Sequence, residues 1–404
     1  MKQRQSGVSS LMMVSLLLVA VLMMTLASYR QAFFQIKRAQ NQVQARQQFW
    51  QAEGGLECFY AQVMEMGALP SSWHNCGGEP EVVVTKLVIG SGVHQIASAY
   101  QNQVLYKNIS LGGGVRGAIQ TSANLYIRGS TTISVPDPGE EKSAGWECIA
   151  LTYRNKFEST GGVVNQGVNH SVKPWSSFNS NGKNCLSTHR SAGLPILKDV
   201  VKQPAARPFE SFFNVPVEEF ATVRDSGKFK RLDGVGSPKI LVNCGKKITD
   251  QINAGHEFIW VEGGCEIAAE QYSELTSATQ SRENGVLLVF HDGPLSLMGG
   301  GGLFKGSMLH FNTAYHPRLS DWVGFDSYAF LSHVPAEFNT AYINNASFYQ
   351  HGAFNVSGSQ LFDSPDHWAL FNTSYNMRFN RDVMEHARSQ LAKPRWQKGS
   401  WRDF

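Results

Sequence analysis

Residues 8–27 read VSSLMMVSLLLVAVLMMTLA, twenty positions without a charge. As a helix rising 1.5 Å per residue, this run matches the roughly 30 Å hydrocarbon core of a bilayer. It is longer than the apolar region of a cleaved signal peptide, although Thr25-Leu26-Ala27 offers a small-x-small site for that alternative. Ser9, Ser10, Ser15 and Thr25 interrupt the apolar surface. They either mark a helix-packing side or bond their own backbone. The helical signal continues past the apolar run, because no Gly or Pro occurs from Val8 to Glu53. Leu22, Leu26, Tyr29, Phe33, Ile36, Val43 and Trp50 follow in steps of 4, 3, 4, 3, 7 and 7, which is one stripe on one helix. The slots at Gln40 and Gln47 are polar, and Gln dominates from Gln31 to Gln51. A rod of about 45 residues would span roughly 70 Å, half in lipid and half outside. A membrane anchor with a short coiled-coil stalk is the plainer reading of the same pattern.

The flanks of this segment separate the two readings. A basic leader, Met1-Lys2-Gln3-Arg4-Gln5-Ser6, ends in Gly7, and the apolar run begins at Val8. It resembles the class III signal of type IV pilins and pseudopilins, in which a prepilin peptidase cuts after the glycine and methylates the new N-terminus. Ala45-Arg46-Gln47-Gln48-Phe49-Trp50-Gln51-Ala52-Glu53-Gly54-Gly55-Leu56-Glu57 is similar to the corresponding stretch of PilX-type minor pilins. The resemblance covers roughly the first sixty residues. Most pilins carry glutamate at the fifth mature position, where this chain has Met12; that departure fits a minor subunit and removes the usual glutamate-to-amine docking. The resemblance implies a non-enzymatic minor pilin in the priming or tip complex of a type IV pilus. Its partners would be other minor pilins, the major pilin, the prepilin peptidase and the inner membrane, with nucleic acid only at the pilus tip. It also implies a single-pass inner-membrane protein with a periplasmic globular domain. Two alternatives stand beside it: a type II secretion pseudopilin, and a membrane-anchored β-rich protein that binds or cleaves polysaccharide. Arg30, Lys37, Arg38 and Arg46 follow the apolar run, so the positive-inside rule by itself would place the large domain in the cytoplasm. The leader motif and the cysteine count place it outside.

Six cysteines, Cys58, Cys76, Cys148, Cys185, Cys244 and Cys265, form an even set with no CxxC, which disfavours paired zinc ligands. Disulfides suit a domain outside the cytoplasm. Fifteen connectivities are open. Neighbour pairing (58 with 76, 148 with 185, 244 with 265) keeps each bond within one compositional segment, and buried free thiols are the alternative. The formal charge of +4 divides unevenly. Residues 1–50 hold six bases and no acid (+6), residues 381–404 hold six bases and three acids (+3), and the remainder holds 4 − 9 = −5. A slightly acidic body argues against general nucleic-acid coating.

Gly67, Pro70 and residues 71–78 end the helical pattern. Short β-type runs follow at 81–89, 104–106, 123–127 and 131–135, then at 239–242, 257–261, 285–290, 307–311, 328–331, 346–349 and 367–372. Turns such as Asp292-Gly293-Pro294 and Gly299-Gly300-Gly301-Gly302 separate some of them, with no helices expected between. The expected class is α+β: a long N-terminal transmembrane helix and a mainly β globular region, β-solenoid or sandwich-like at its C-terminal end. The expected boundaries are a leader at 1–7, the helix at 8–66, a β-rich middle domain at 67–194, a linker or crossover at 195–237 with a short helix at 217–224, and a β-rich C-terminal domain at 238–404.

Catalytic signals are weak. Gly112 to Gly117 satisfies GxGxxG, but no helix and no well-placed acid follows; residues 301–307 miss the P-loop order. The twelve histidines lack helix-borne zinc spacing, and Asp363, Asp366, Asp321 and Asp326 lack the EF-hand grammar for calcium. No GxSxG elbow occurs, so neither a cofactor, a metal nor an enzymatic activity is expected. The basic and aromatic C-terminus (Arg388, Lys393, Arg395, Trp396, Lys398, Trp401, Arg402, Phe404) has the composition of a single-strand nucleic-acid groove, with terminal packing and cation–π contacts the favoured reading.

Overall fold

The computed structural model describes residues 6–66, 69, 83–90, 93–110, 116–332, 340–373 and 375–403. The chain forms two compact units: residues 1–89, 94–109 and 396–404, and residues 90–93 and 110–395.

In the first unit, helix α1 (Ser6–Met66) runs unbroken for 61 residues, about 90 Å at helical rise. Strands β1 (Val83–Gly90), β2 (Val93–Tyr100) and β3 (Gln103–Ser110) make a sheet completed by the short strand Arg395–Trp396. Ala52, Leu56, Phe59 and Val63, at steps of 4, 3 and 4, are buried on the helix, and Ile96, Leu105 and Ile109 are buried on the strands. Each such side chain contributes about 1.5–3 kcal/mol when fully removed from water. Tyr60 stacks on Trp396 with ring centroids 5.1 Å apart, Phe49 meets Trp401 at 5.6 Å, and Lys107 Nζ lies 2.8 Å from Glu57 Oε1.

The second unit contains an eight-stranded and a seven-stranded sheet, and every described pairing within them is parallel. Apart from Val200–Lys202, an extra strand of the eight-stranded sheet beside Leu151–Tyr153, successive strands of the two sheets alternate between them, so the chain winds. Turn 1 places Ile119–Thr121 in one sheet and Asn124–Arg128 in the other; turn 2 does so with Leu151–Tyr153 and Phe157–Ser159. Turns 3 to 7 begin at Lys230, Phe258, Val286, Gly306 and Gln360. Their order in space is 2, 1, 7, 6, 5, 4, 3. The chain therefore starts inside the stack, adds turn 2 on one side, crosses to the far end, and winds back until turn 7 pairs with turn 1.

Alternation along the strands sorts their side chains. Phe348 touches Phe362 of the opposite sheet at 4.6 Å and Phe371 at 5.1 Å, filling the space between the sheets. Parallel strands covered on both faces read as continuous apolar runs. Val286–His291 accordingly is buried at all six positions. On the outside of the eight-stranded sheet, Trp260 and Phe311 meet Phe209 of α2 (Pro208–Phe213) and Phe220 of α3 (Phe220–Arg224). Outside the seven-stranded sheet, Tyr126, Tyr349 and Trp368 are covered by Trp322, Phe325, Leu331 and Ile343. Disulfides join Cys148 to Cys185 and Cys244 to Cys265, each with Cα atoms 5.5 Å apart. Cys58 is disulfide-bonded, and its expected partner Cys76 lies outside the described residues. At the turn after His291, a Cβ on Gly293 would lie 2.1 Å from the Gly264 nitrogen, so the close approach of turns 4 and 5 requires glycine there.

Several expectations are corrected. The chain does not divide at 194 and 237: strands from 119–159 and from 258–372 hydrogen-bond in the same two sheets, and β1 to β3 belong with α1. The expected linker carries buried Phe209, Phe212 and Phe213. The expected helix at 217–224 is split into a 3-10 turn at Val217–Glu219 and α3. Helices do intervene among the later strands: α4 (Cys244–Asn253), α5 (Ala269–Gln280), α6 (Ser327–Ser332), α7 (Thr340–Asn344) and α8 (Arg381–Leu391). Residues 328–331, expected as strand, lie in α6, because burying Leu331 against the Trp322 cluster outweighs the β propensity of Tyr and Phe. The GxGxxG candidate falls largely on 111–115, outside the described residues. Replacing Phe348 with Ala is expected to lower the stability of the second unit by about 3–5 kcal/mol, read as a drop in its urea midpoint in detergent solution.

Candidate functional site

Every side chain from Val8 to Gln47 is exposed, a run of forty helical residues. In water such a surface is unstable, since its first twenty positions are almost wholly apolar. It is the one helix, among the described residues, long and apolar enough to cross a membrane. Ser15 Oγ donates to Met12 O and Thr25 Oγ1 to Leu22 O, each at 2.9 Å, so these hydroxyls are satisfied within their own helix. Gly7 and Val8 lie inside α1, and Met12 is exposed. Leu22, Leu26, Tyr29, Phe33, Ile36, Val43 and Trp50 are all exposed as well.

The direction of Trp50 follows from helical geometry. Phe59, on the sheet-bound face, is nine residues after Trp50, or two and a half turns. Trp50 thus lies on the face away from the sheet, while Ile36 and Val43 border the β2–β3 turn. Gln40, Gln44, Gln47, Gln48, Tyr100 and Gln101, with Ile36 and Val43, line an open groove of about 820 Å³. Gln48 Nε2 donates to Gln101 Oε1 at 2.6 Å within this lining. The C-terminal aromatics take the terminal-packing role: Trp396 and Trp401 lie on Tyr60 and Phe49, and the cation over Trp396 is Lys107, at 4.6 Å.

A second concentration of polar groups lies at the strand ends of turns 4 and 5. Glu262 and His291 are register partners one turn apart. His291 Nδ1 is 3.1 Å from Glu262 Oε2, its Nε2 is 3.0 Å from Thr313 Oγ1 and 3.3 Å from Asp292 Oδ2, and its ring sits between Phe220 and Phe311 at 4.2 and 4.3 Å. Asp292 Oδ1 accepts from the Thr313 and Ala314 backbone N–H groups at 2.6 and 3.0 Å. Burial opposes ionisation of Glu262, but the hydrogen bond and charge of His291, the Trp260 N–H and Arg224 outweigh it and hold this carboxyl below its ordinary range. Burial likewise opposes Asp292, and the His291 charge with the Ala314 and Thr313 donors holds it low. These are the elements of acid–base chemistry, but the His291 side chain is 1% exposed. A ring so enclosed meets no substrate; the cluster is a strut between adjacent turns. His310, also enclosed, makes a 2.9 Å contact through Nε2 with Gly293 O, and burial pushes it down to about 4, so it is neutral at pH 7.

Spacing alone could not reveal this cluster, because its members come together through parallel register and the turns follow no strict repeat. Asp363 and Asp321, weighed as calcium ligands, are engaged elsewhere: Asp363 accepts from Ser122 Oγ and Phe209 N, and Asp321 from Arg318 N and Tyr315 Oη. Among the described residues, no three His, Cys, Asp or Glu side chains converge on a point that could hold a metal. No family model, characterised protein or solved structure matches this chain.

Because Glu262 and Asp292 are held low, the stability they add is in place above the usual carboxyl range and is lost as pH falls through their folded values. Glu262→Gln is expected to cost about 1.5–3 kcal/mol at pH 7, and the gap to the parent chain to narrow by pH 3, measured by urea midpoints at both pH values.

Proposed function

We propose that this chain is a minor subunit of a type IV pilus, anchored in the inner membrane by α1 and incorporated at or near the filament tip. The observation that carries the reading is the forty-residue exposed stretch of α1. Its first half suits lipid, and its second half stays exposed before the helix meets its sheet at Ala52. A helix so arranged can leave the bilayer sideways into a bundle of similar helices without disturbing its own globular region. The Gly7–Val8 junction supplies the processing step that resemblance to pilins implies.

The second unit supports a tip position. By the usual scaling, a compact body of its size is about 50 Å across, whereas packed helices stand about 10 Å apart. Such heads cannot sit on every helix of a bundle, while one at the end is accommodated. We read its winding as a β-solenoid. The Cys148–Cys185 and Cys244–Cys265 bonds favour an oxidising, periplasmic setting.

Gly7→Arg is expected to leave membrane insertion intact, to keep the chain uncut at its N-terminus by mass spectrometry, and to abolish incorporation into filaments. If the variant still begins at Val8 and enters filaments, the reading fails. Phe33→Asp places a charge on the stripe and is expected to reduce incorporation at least tenfold while processing after Gly7 continues, because a charge forced into a helix–helix contact loses hydration without a partner.

A further inference from the structure

Asn214 ends α2 with a left-handed backbone, φ 57°, and its N–H donates to Glu210 O at 2.8 Å. The side-chain Nδ2 carries two protons and uses both. It donates to Ser110 O at 3.0 Å and to Lys393 O at 2.7 Å, residues 104 and 179 positions away in sequence. Beside it, Lys393 N donates to Phe213 O at 2.9 Å. Ser110 is where the chain comes out of β3, and Lys393 is where it runs on into Arg395–Trp396, the strand next to β3. One amide thus ties together the two places where the chain enters and leaves the second unit.

What holds Asn214 in place is equally specific. Phe209, Phe212 and Phe213 of α2 are fully buried, and Phe209 packs on Phe311 at 4.7 Å. The first turn of α2 is fixed by Asp363, whose Oδ2 accepts from Phe209 N at 2.9 Å and whose Oδ1 accepts from Ser122 Oγ at 2.6 Å. Ser122 follows the first strand of turn 1 and Asp363 ends the first strand of turn 7. The seat of α2 is complete only when turn 7 has closed on turn 1.

The residues after Lys393 finish the first unit. Tyr106 and Arg402 exchange backbone hydrogen bonds at 2.9 and 3.0 Å, Gln397 N donates to Asn108 O at 2.8 Å, and Trp396 and Trp401 lie on Tyr60 and Phe49 of α1. If the intervening chain were unfolded, loop-closure statistics would lower the local concentration of one strand near the other by a factor of roughly several thousand.

We propose that Asn214 is a junction clamp, which makes the seating of α1 on its sheet conditional on closure of turn 7 against turn 1. It delivers β3 and the terminal strand side by side only from a completely wound second unit, so an incompletely folded chain presents α1 without its sheet. Hydrogen–deuterium exchange of the full chain in detergent micelles tests this without reference to filaments. Asn214→Gly keeps the left-handed backbone and removes the clamp; Asn214→Asp keeps the size and removes both donors. Exchange at residues 52–63 and 103–109 is expected to rise roughly ten- to a hundredfold in both variants, with 286–311 unchanged, the range for two lost hydrogen bonds. The proposal is overturned if 103–109 keeps parental protection in either variant. It is also overturned if 286–311 loses protection in the same proportion, which would make Asn214 only a stabiliser of the second unit.

Discussion

The parallel pairing of Ile119–Thr121 with Gln360–Phe362, continued in the other sheet by Asn124–Ile127 with Trp368–Phe371, joins the start of the second unit to its end. No hairpin can make such a pair, because parallel strands need a crossover, and here the crossover is most of the unit. Its closure brings Ser122 to Asp363, completes the interior around Phe348, Phe362 and Phe371, and seats α2 on the outer face. Long-range parallel pairing is slow to form and exposes strand edges while it does so. The two described disulfides span only 37 and 21 residues, so they secure local excursions and leave this closure to non-covalent contacts.

Helix α1 answers to a different constraint. Its first half carries an apolar surface that only lipid or another helix can satisfy, and its second half carries Ala52, Leu56, Phe59 and Val63 for the sheet. The two demands coexist because they fall on different stretches of the helix. Charge follows the same division: basic residues flank the apolar run, and the globular body is slightly acidic. Loss of Met1–Gly7 would remove Lys2 and Arg4 and bring the formal side-chain charge from +4 to +2.

Much of the strand content was legible because β-branched and aromatic runs bounded by Gly, Asn and Pro are local signals; 131–135 and 285–290 match observed strands closely. Residues 328–331 carry a similar signal yet form helix, since their neighbours Trp322 and Phe325 offer one side chain, Leu331, a buried place. Helices α4 and α5 carry a weak apolar signal, because Gly245, Thr249, Thr276 and Thr279 occupy much of their buried faces. Glu262, His291 and Asp292 gave no motif, as their meeting depends on register between turns rather than on spacing along one element. Asn214 was equally silent: it falls in a stretch read as a linker, and nothing in the sequence locates Ser110 or Lys393 beside it.

The sequence by itself determined the membrane-length helix, its exposed stripe, the apolar character of the strands and the even set of cysteines. Each follows from composition and periodicity over a few turns or a few residues. The tertiary structure decided that the strands are parallel, that turn 1 lies inside the stack between turns 2 and 7, and that the last residues of the chain return to complete the sheet under α1. Those outcomes turn on which strand edges meet across more than two hundred residues. The energy of a backbone ladder is nearly the same for many partners, so the choice is made by the fit of whole faces, which no local pattern encodes.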